Sequence, residues 1–268
     1  FAFFLISAFW QAYDATIALT LTNKFGMNQT WSGVVMALDN ILALFLLPVF
    51  GTLSDKCSTR SGRRTPFIRL GTLVAAVMLV ALSFVDNMQL NQIRVISRVD
   101  DPAALEIIYD TQGEKHLQTP SGTDFVLNDL FTREEFAAIR SGDDVKDVTN
   151  RDERKTPYTS YVVPARQAYA ADRTAENATP LVLFIAVLLV LLVAMGIFRS
   201  PAVALMPDVT LKPLRSKANA IINLMGAIGG IIYLGIAAVL YSTKNVEANY
   251  TLGTFVDAEG NTVAVVDY

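Results

Sequence analysis

The 268-residue chain has a net charge of −3, 52% apolar residues, 18% charged residues and a mean hydropathy of +0.38. Soluble domains carry about a quarter charged residues, so the deficit points to a membrane, and the acidic balance excludes a nucleic-acid footprint. Cys57 and His116 stand alone of their kinds, which excludes an intramolecular disulfide and a Cys/His metal cluster.

Five apolar blocks, residues 1–21, 31–50, 67–85, 180–197 and 218–241, come close to or reach the length a helix needs to cross hydrocarbon, about 20 residues. Trp31 and Tyr241 sit at block ends as interfacial anchors would. The first block lacks a basic flank and is interrupted by Gln11, Tyr13 and Asp14, so it is no signal peptide. A start at Phe1 without methionine and an end at Tyr268 in polar sequence lead us to expect part of a longer protein.

The links between blocks carry the charge. The second and third blocks are joined through Asp55, Lys56, Arg60, Arg63 and Arg64, and the fourth and fifth through Asp208, Lys212, Arg215 and Lys217. Residues 86–179 hold 17 acidic and 11 basic side chains. The positive-inside rule then places the two basic links in the cytoplasm of a multi-pass plasma-membrane protein. The expected organisation is membrane helices over 1–85, an extracytoplasmic soluble insert over 86–179, helices over 180–241 and an extracytoplasmic hairpin or loop over 242–268. The fold class is an all-α membrane protein with a small α+β insert.

Within the insert, residues 105–109 and 115–118 flank a turn and predict a hairpin. Thr132 with Glu135 three residues later predicts a capping box opening a short helix through Ile139. The polar run 143–155 predicts a mobile loop. In the tail, 251–257 and 262–266 around Glu259-Gly260-Asn261 predict a hairpin. A lone hairpin is marginal in water, so it is expected to pack on the insert as an outer cap.

Ionisable residues inside the blocks are few. Asp14 lies seven residues from the outer end of its block and Asp39 eight from its own, both roughly 10–12 Å deep. An intramembrane carboxylate costs about 2.5–3.5 kcal/mol on insertion scales and is a functional candidate by default. Asp14 and Asp39, with Asn40 adjacent, are therefore candidates for a proton or substrate pathway. Trp10, Gln11 and Tyr13 surround Asp14, and an aromatic face beside hydrogen-bonding groups suits a sugar ring. Asn219 and Asn223 share a face of the fifth block and are candidates for helix packing or substrate contact. No nucleophile, base and orienting group assemble, so no enzyme, catalytic residue, metal or cofactor is expected.

The link from Gly51 to Ile68 contains Gly51, Asp55, Lys56, Arg60, Gly62, Arg63 and Arg64, followed by Thr65, Pro66 and Phe67. It resembles the signature G-x-x-x-D-R/K-x-G-R/K-R/K between the second and third spans of major facilitator transporters. Its longer spacer and its Gly-Arg-Arg-x-Pro-Phe-Ile run are similar to the glycoside–pentoside–hexuronide and sucrose carrier branch. Pro201, Ala204, Leu205 and Asp208 match the Pro-x-Arg-Ala-Leu-x-x-Asp run of plant sucrose carriers. Val203 stands where that branch has an arginine associated with sugar binding, and Arg199 is placed on another helix face, with the interfacial latch. Melibiose-type members carry sodium-binding aspartates where this chain has Ala43 and Leu47.

The resemblance covers the spans, not the insert or tail. It implies a partial major facilitator fold of five transmembrane helices and a secondary active transporter working by alternating access. The expected partners are a sugar or glycoside, a proton and the lipid bilayer, with no nucleic acid. The cytoplasmic signature residues would form a gate with Asp208 and Arg199. Alternatives are an exporter of another small molecule, or a non-transporting sensor whose outer insert binds a ligand.

Overall fold

The structure, a computed structural model, describes residues 2–60, 62–141, 157–240, 251–256 and 262–267. The chain divides into two units. The first comprises Phe1–Leu19, Gln29–Asn87 and Thr179–Ala238, and the second Thr20–Asn28, Met88–Ala178 and Val239–Tyr268.

The first unit is helical. Its elements are α1 (Ala2–Leu19), α2 (Gln29–Lys56), α3 (Thr65–Gln92), α8 (Thr179–Val209) and α9 (Arg215–Leu240). Five helices, counting α1 together with its π-helical extension to Lys24, are long and apolar enough to cross a membrane. All run past at least one edge of their apolar blocks, because a helix continues into polar sequence once its backbone bonds are established. The outward faces stay apolar: Leu44, Phe45, Phe84 and Ile231 are each more than 60% exposed. Such surface suits lipid contact, where hydrocarbon replaces a protein core.

Close helix approach organises this unit. Along α8, Phe184, Leu188, Leu191, Met195 and Phe198 are buried, and the helix packs along α2 and α1. Gly71 brings α3 against α8: an added Cβ would lie 2.8 Å from the Ala194 carbonyl oxygen and the Phe198 nitrogen. Gly229 does the same for α9 against the Phe4 backbone of α1. Small residues at crossings are how membrane helices gain contact without a hydrophobic drive. Some hydroxyls bond within their own helices, as Thr16 does to the Ala12 carbonyl at 2.7 Å.

The second unit has its own core. After α1 the chain forms the π-turn Thr20–Lys24, burying Leu21 and Phe25. The last turn of α3 buries Gln89, whose Nε2 donates to the Lys24 carbonyl at 2.7 Å and to Thr174 Oγ1 at 3.0 Å. Then follow β1 (Arg98–Val99), α4 (Pro102–Gln112), β2 (Leu117–Gln118), β3 (Asp124–Phe125), α5 (Leu127–Leu130), α6 (Arg133–Ala138) and α7 (Val163–Glu176). Leu105, Ile108, Leu127, Phe136, Val162 and Tyr169 form its centre.

Three local outcomes differ from expectation or extend it. The hairpin predicted over 105–118 is corrected: residues 102–112 form α4, and the short antiparallel pair is β2 with β3 instead. Asp101 caps the helix by accepting from the Ala103 N–H, and Pro102 occupies its first turn. Leu105, Ile108 and Gln112 are buried on one helical face, so period 3.6 and a good N-cap outweigh the turn residues. Helix α7 was not foreseen, although Ala165, Tyr169 and Ala170 follow helical spacing. In the tail, β4 (Thr251–Val256) pairs with β5 (Thr262–Asp267), and β5 pairs in turn with β1, joining tail to insert by backbone bonds. The loop predicted over 143–155 and the turn at 259–261 lie outside the described residues.

At α6 the capping box is complete: Thr132 Oγ1 accepts from the Glu135 N–H, and the Glu135 carboxylate accepts from the Thr132 N–H at 2.8 Å. Those bonds hold Glu135 below the usual carboxylate range, and Arg133 does the same for Asp110. Both depressed groups stabilise the fold above the ordinary carboxylate value, and the gain is lost as pH falls below about 4. Amide exchange of the whole protein is expected to show α6 losing protection between pH 5 and pH 3. Thr132→Ala should weaken α6 already at pH 7, by about 1 kcal/mol.

Candidate functional site

Polar groups collect where α1, α2 and α8 meet in the first unit. Trp10 comes from α1, Asp39 and Leu46 from α2, and Leu192, Gly196 and Arg199 from α8, and together they line one narrow cleft. The spacing explains the convergence. Asp39, Leu42, Ala43 and Leu46 form one face of α2, and Leu192, Gly196 and Arg199 one face of α8. At Gly196 an added Cβ would lie 3.1 Å from Leu46, so the helices nearly touch there.

Trp10 anchors an aromatic cluster. Phe9 and Tyr13 meet its ring edge-on at centroid distances of 5.3 and 5.5 Å. The Arg199 guanidinium lies over the ring, 5.5 Å from its centroid. The indole N–H of Trp10 and the hydroxyl of Tyr13 are buried without a hydrogen-bond partner in the structure. A buried donor left unpaired costs about 1–3 kcal/mol, so both are groups that a polar ligand would satisfy.

The other sequence candidates scatter. Asp39 accepts from the Asn40 side chain at 2.9 Å. Asp14 is exposed on α1. Gln11 turns to α9, with Oε1 3.7 Å from a Cβ added at Gly230. Asn219 and Asn223 are exposed on α9. Arg199, expected from sequence to join the gate with Asp208, lines the cleft with Trp10 and Asp39. The reason is that α8 does not stop near residue 197 but runs through Pro201 and Pro207 to Val209.

The basic link between α2 and α3 centres on Arg64, whose side chain is 11% exposed. Its guanidinium reaches Asp55 of α2 at 2.8 Å and Asp208 of α8 at 2.5 Å, and donates to Ser54 Oγ at 3.2 Å. One side chain at the start of α3 thus joins three helices, using the planar fork that suits arginine rather than lysine. Lys56, Arg60 and Arg63 are exposed, and Gly62 turns the chain at φ +101°. Nearby, Ser200 Oγ donates to the Leu47 carbonyl at 2.9 Å and lies 3.2 Å from a Cβ added at Gly51, tying α8 to α2. Ser54 and Ser200 gave no sequence signal, since a lone serine in a helix has no pattern. Among the described residues no group of His, Cys, Asp and Glu could hold a metal ion.

Residues 3–93 match the family model described as MFS/sugar transport protein. Two proteins of Arabidopsis thaliana are similar to part of the chain. Sucrose transport protein SUC4 is 26% identical over 74 residues, covering 28% of this chain and 14% of that protein. Sucrose transport protein SUC3 is 26% identical over 76 residues, covering 28% of this chain and 13% of that protein. The matched stretch thus spans about one seventh of the relatives' length. No solved structure matches.

Proposed function

We propose that this chain, an N-terminal portion of the major facilitator sugar-transport type over residues 3–93, serves a secondary active transporter that moves a sugar or glycoside together with protons. The observation that carries the reading is the cleft of Trp10, Asp39 and Arg199 among mostly apolar helices. Polar groups at that position are costly unless they have work to do. A pyranose has apolar faces and a polar rim, so Trp10 would take the ring while Asp39 takes hydroxyls.

Alternating access requires two states of the helix bundle that bind substrate and proton differently. A proton on Asp14 or Asp39 removes a charge beside the aromatic cluster and so changes the relative stability of those states. The Arg64 clasp would close one side of the bundle and release it in the other state. By the positive-inside rule that side is the cytoplasm of a plasma-membrane carrier, with the segments 86–179 and 242–268 extracytoplasmic.

Accumulation of labelled sugars by the complete protein in vesicles, under an imposed proton gradient, tests the proposal. Asp39→Asn or Asp14→Asn is expected to abolish accumulation while leaving exchange of sugar down its gradient. If both variants still concentrate sugar, proton coupling through these residues is wrong.

A further inference from the structure

The cleft at Trp10 is too small for a sugar in this structure. Its free volume is about 10 Å³, room for about one water, whereas ligand pockets run to roughly 300–1,000 Å³. Two of its walls have little give. At Gly196 an added Cβ would lie 3.1 Å from Leu46, and Trp10 is itself packed edge-on against Phe9 and Tyr13, which hold the ring in place from behind the lining. The movable wall is Arg199, a long side chain whose guanidinium lies over the Trp10 ring.

We propose that Arg199 is a cover on the Trp10 platform, so that a sugar enters the cleft only by exchanging places with the guanidinium. The inference rests on the sugar-carrier reading above. A guanidinium is held on an indole by the electron-rich face of the ring. The C–H groups on the face of a pyranose seek the same surface. The two are therefore competitors for one side of Trp10, not joint occupants.

Once displaced, Arg199 has a destination: Asp39 is the one acidic side chain among the residues lining the cleft. Ligand occupancy and the arrangement of this charge pair are thereby linked. The cover also sets specificity. A ligand must offer Trp10 a broad apolar face to displace the cation, so open-chain polyols and small acids bind poorly while ring sugars bind.

The test is counterflow exchange by the complete protein in vesicles without a proton gradient, using labelled sucrose, melibiose, maltose and glucose. For whichever probe the wild type exchanges, Arg199→Gln is expected to lower the half-saturating concentration about two- to five-fold, the range of a partly exposed cation–π contact. Arg199→Lys keeps the charge but loses the planar face, and should shift in the same direction by less. Trp10→Leu should erase the gain in the Arg199→Gln background. Damage to the fold would weaken binding, so tighter binding separates a cover from a structural prop. An unchanged or higher half-saturating concentration in both Arg199 variants overturns the cover. If the wild type exchanges none of the four sugars, the carrier reading fails and the cover falls with it, an outcome visible without any variant.

Discussion

Gly71→Leu is expected to keep α3 from seating on α8. Even a Cβ at that position would lie 2.8 Å from two backbone atoms of α8 and 2.9 Å from the Phe198 Cβ. Backbone cannot rotate away as a side chain can, so the helices must separate at this crossing. Overpacking a tight contact costs about 1–3 kcal/mol and sometimes more, a large share of the 5–15 kcal/mol that folded proteins hold. The complete protein carrying Gly71→Leu should show a lower melting temperature and a reduced monodisperse fraction on size exclusion. Gly33 and Gly235 are controls, because nothing lies within 4 Å of a Cβ added at either. Alanine at those two positions should leave both readouts near the wild type.

On the carrier reading proposed above, Arg64→Ala is expected to disable transport while leaving the protein folded. The side chain holds Asp55, Asp208 and Ser54 from one position, so its loss frees α2, α3 and α8 at that end together. The two acids are far more exposed than Arg64, at 62% and 47%, so water compensates part of the loss. A net change of about 1–2 kcal/mol is reasonable for a charge-assisted network of this kind. In a carrier poised between two states, that is about 5- to 30-fold in their ratio. Initial uptake rates should fall by about that factor, with size-exclusion behaviour unchanged. Exchanging the pair as Arg64→Asp with Asp208→Arg should recover part of the activity; Asp208→Asn alone should not. Recovery by the asparagine variant would show that the clasp has no gating role.

These predictions depend on structure of different kinds. The Arg64 link was legible in sequence because its glycine, aspartate and basic residues sit close together in one segment. Even so, the choice among Lys56, Arg60, Arg63 and Arg64 was not. Each is basic and near the helix ends, and only the orientation of the α3 start selects Arg64. Gly71 carried no signal at all: an isolated glycine in an apolar run marks a crossing only when the partner helix is known.

The five spans, the two basic links and the α6 capping box were determined by the sequence alone. Each rests on a local rule: a membrane demands unbroken apolar length, a cap needs two residues three apart, and charge chooses a side. The helix α4, read as a hairpin, shows the limit even locally, since both patterns were present and burial on the insert core decided between them. The cleft needed tertiary structure. Trp10, Asp39 and Arg199 are far apart in the chain, and their meeting depends on how far α8 runs and how each helix is rotated. Those quantities are set by contacts such as Gly71 on α8 and Gly196 on Leu46, which exist only once the helices are packed. Hydrocarbon acts on one helix at a time, and its demand is written in each segment; a site built between helices is not written in any one of them.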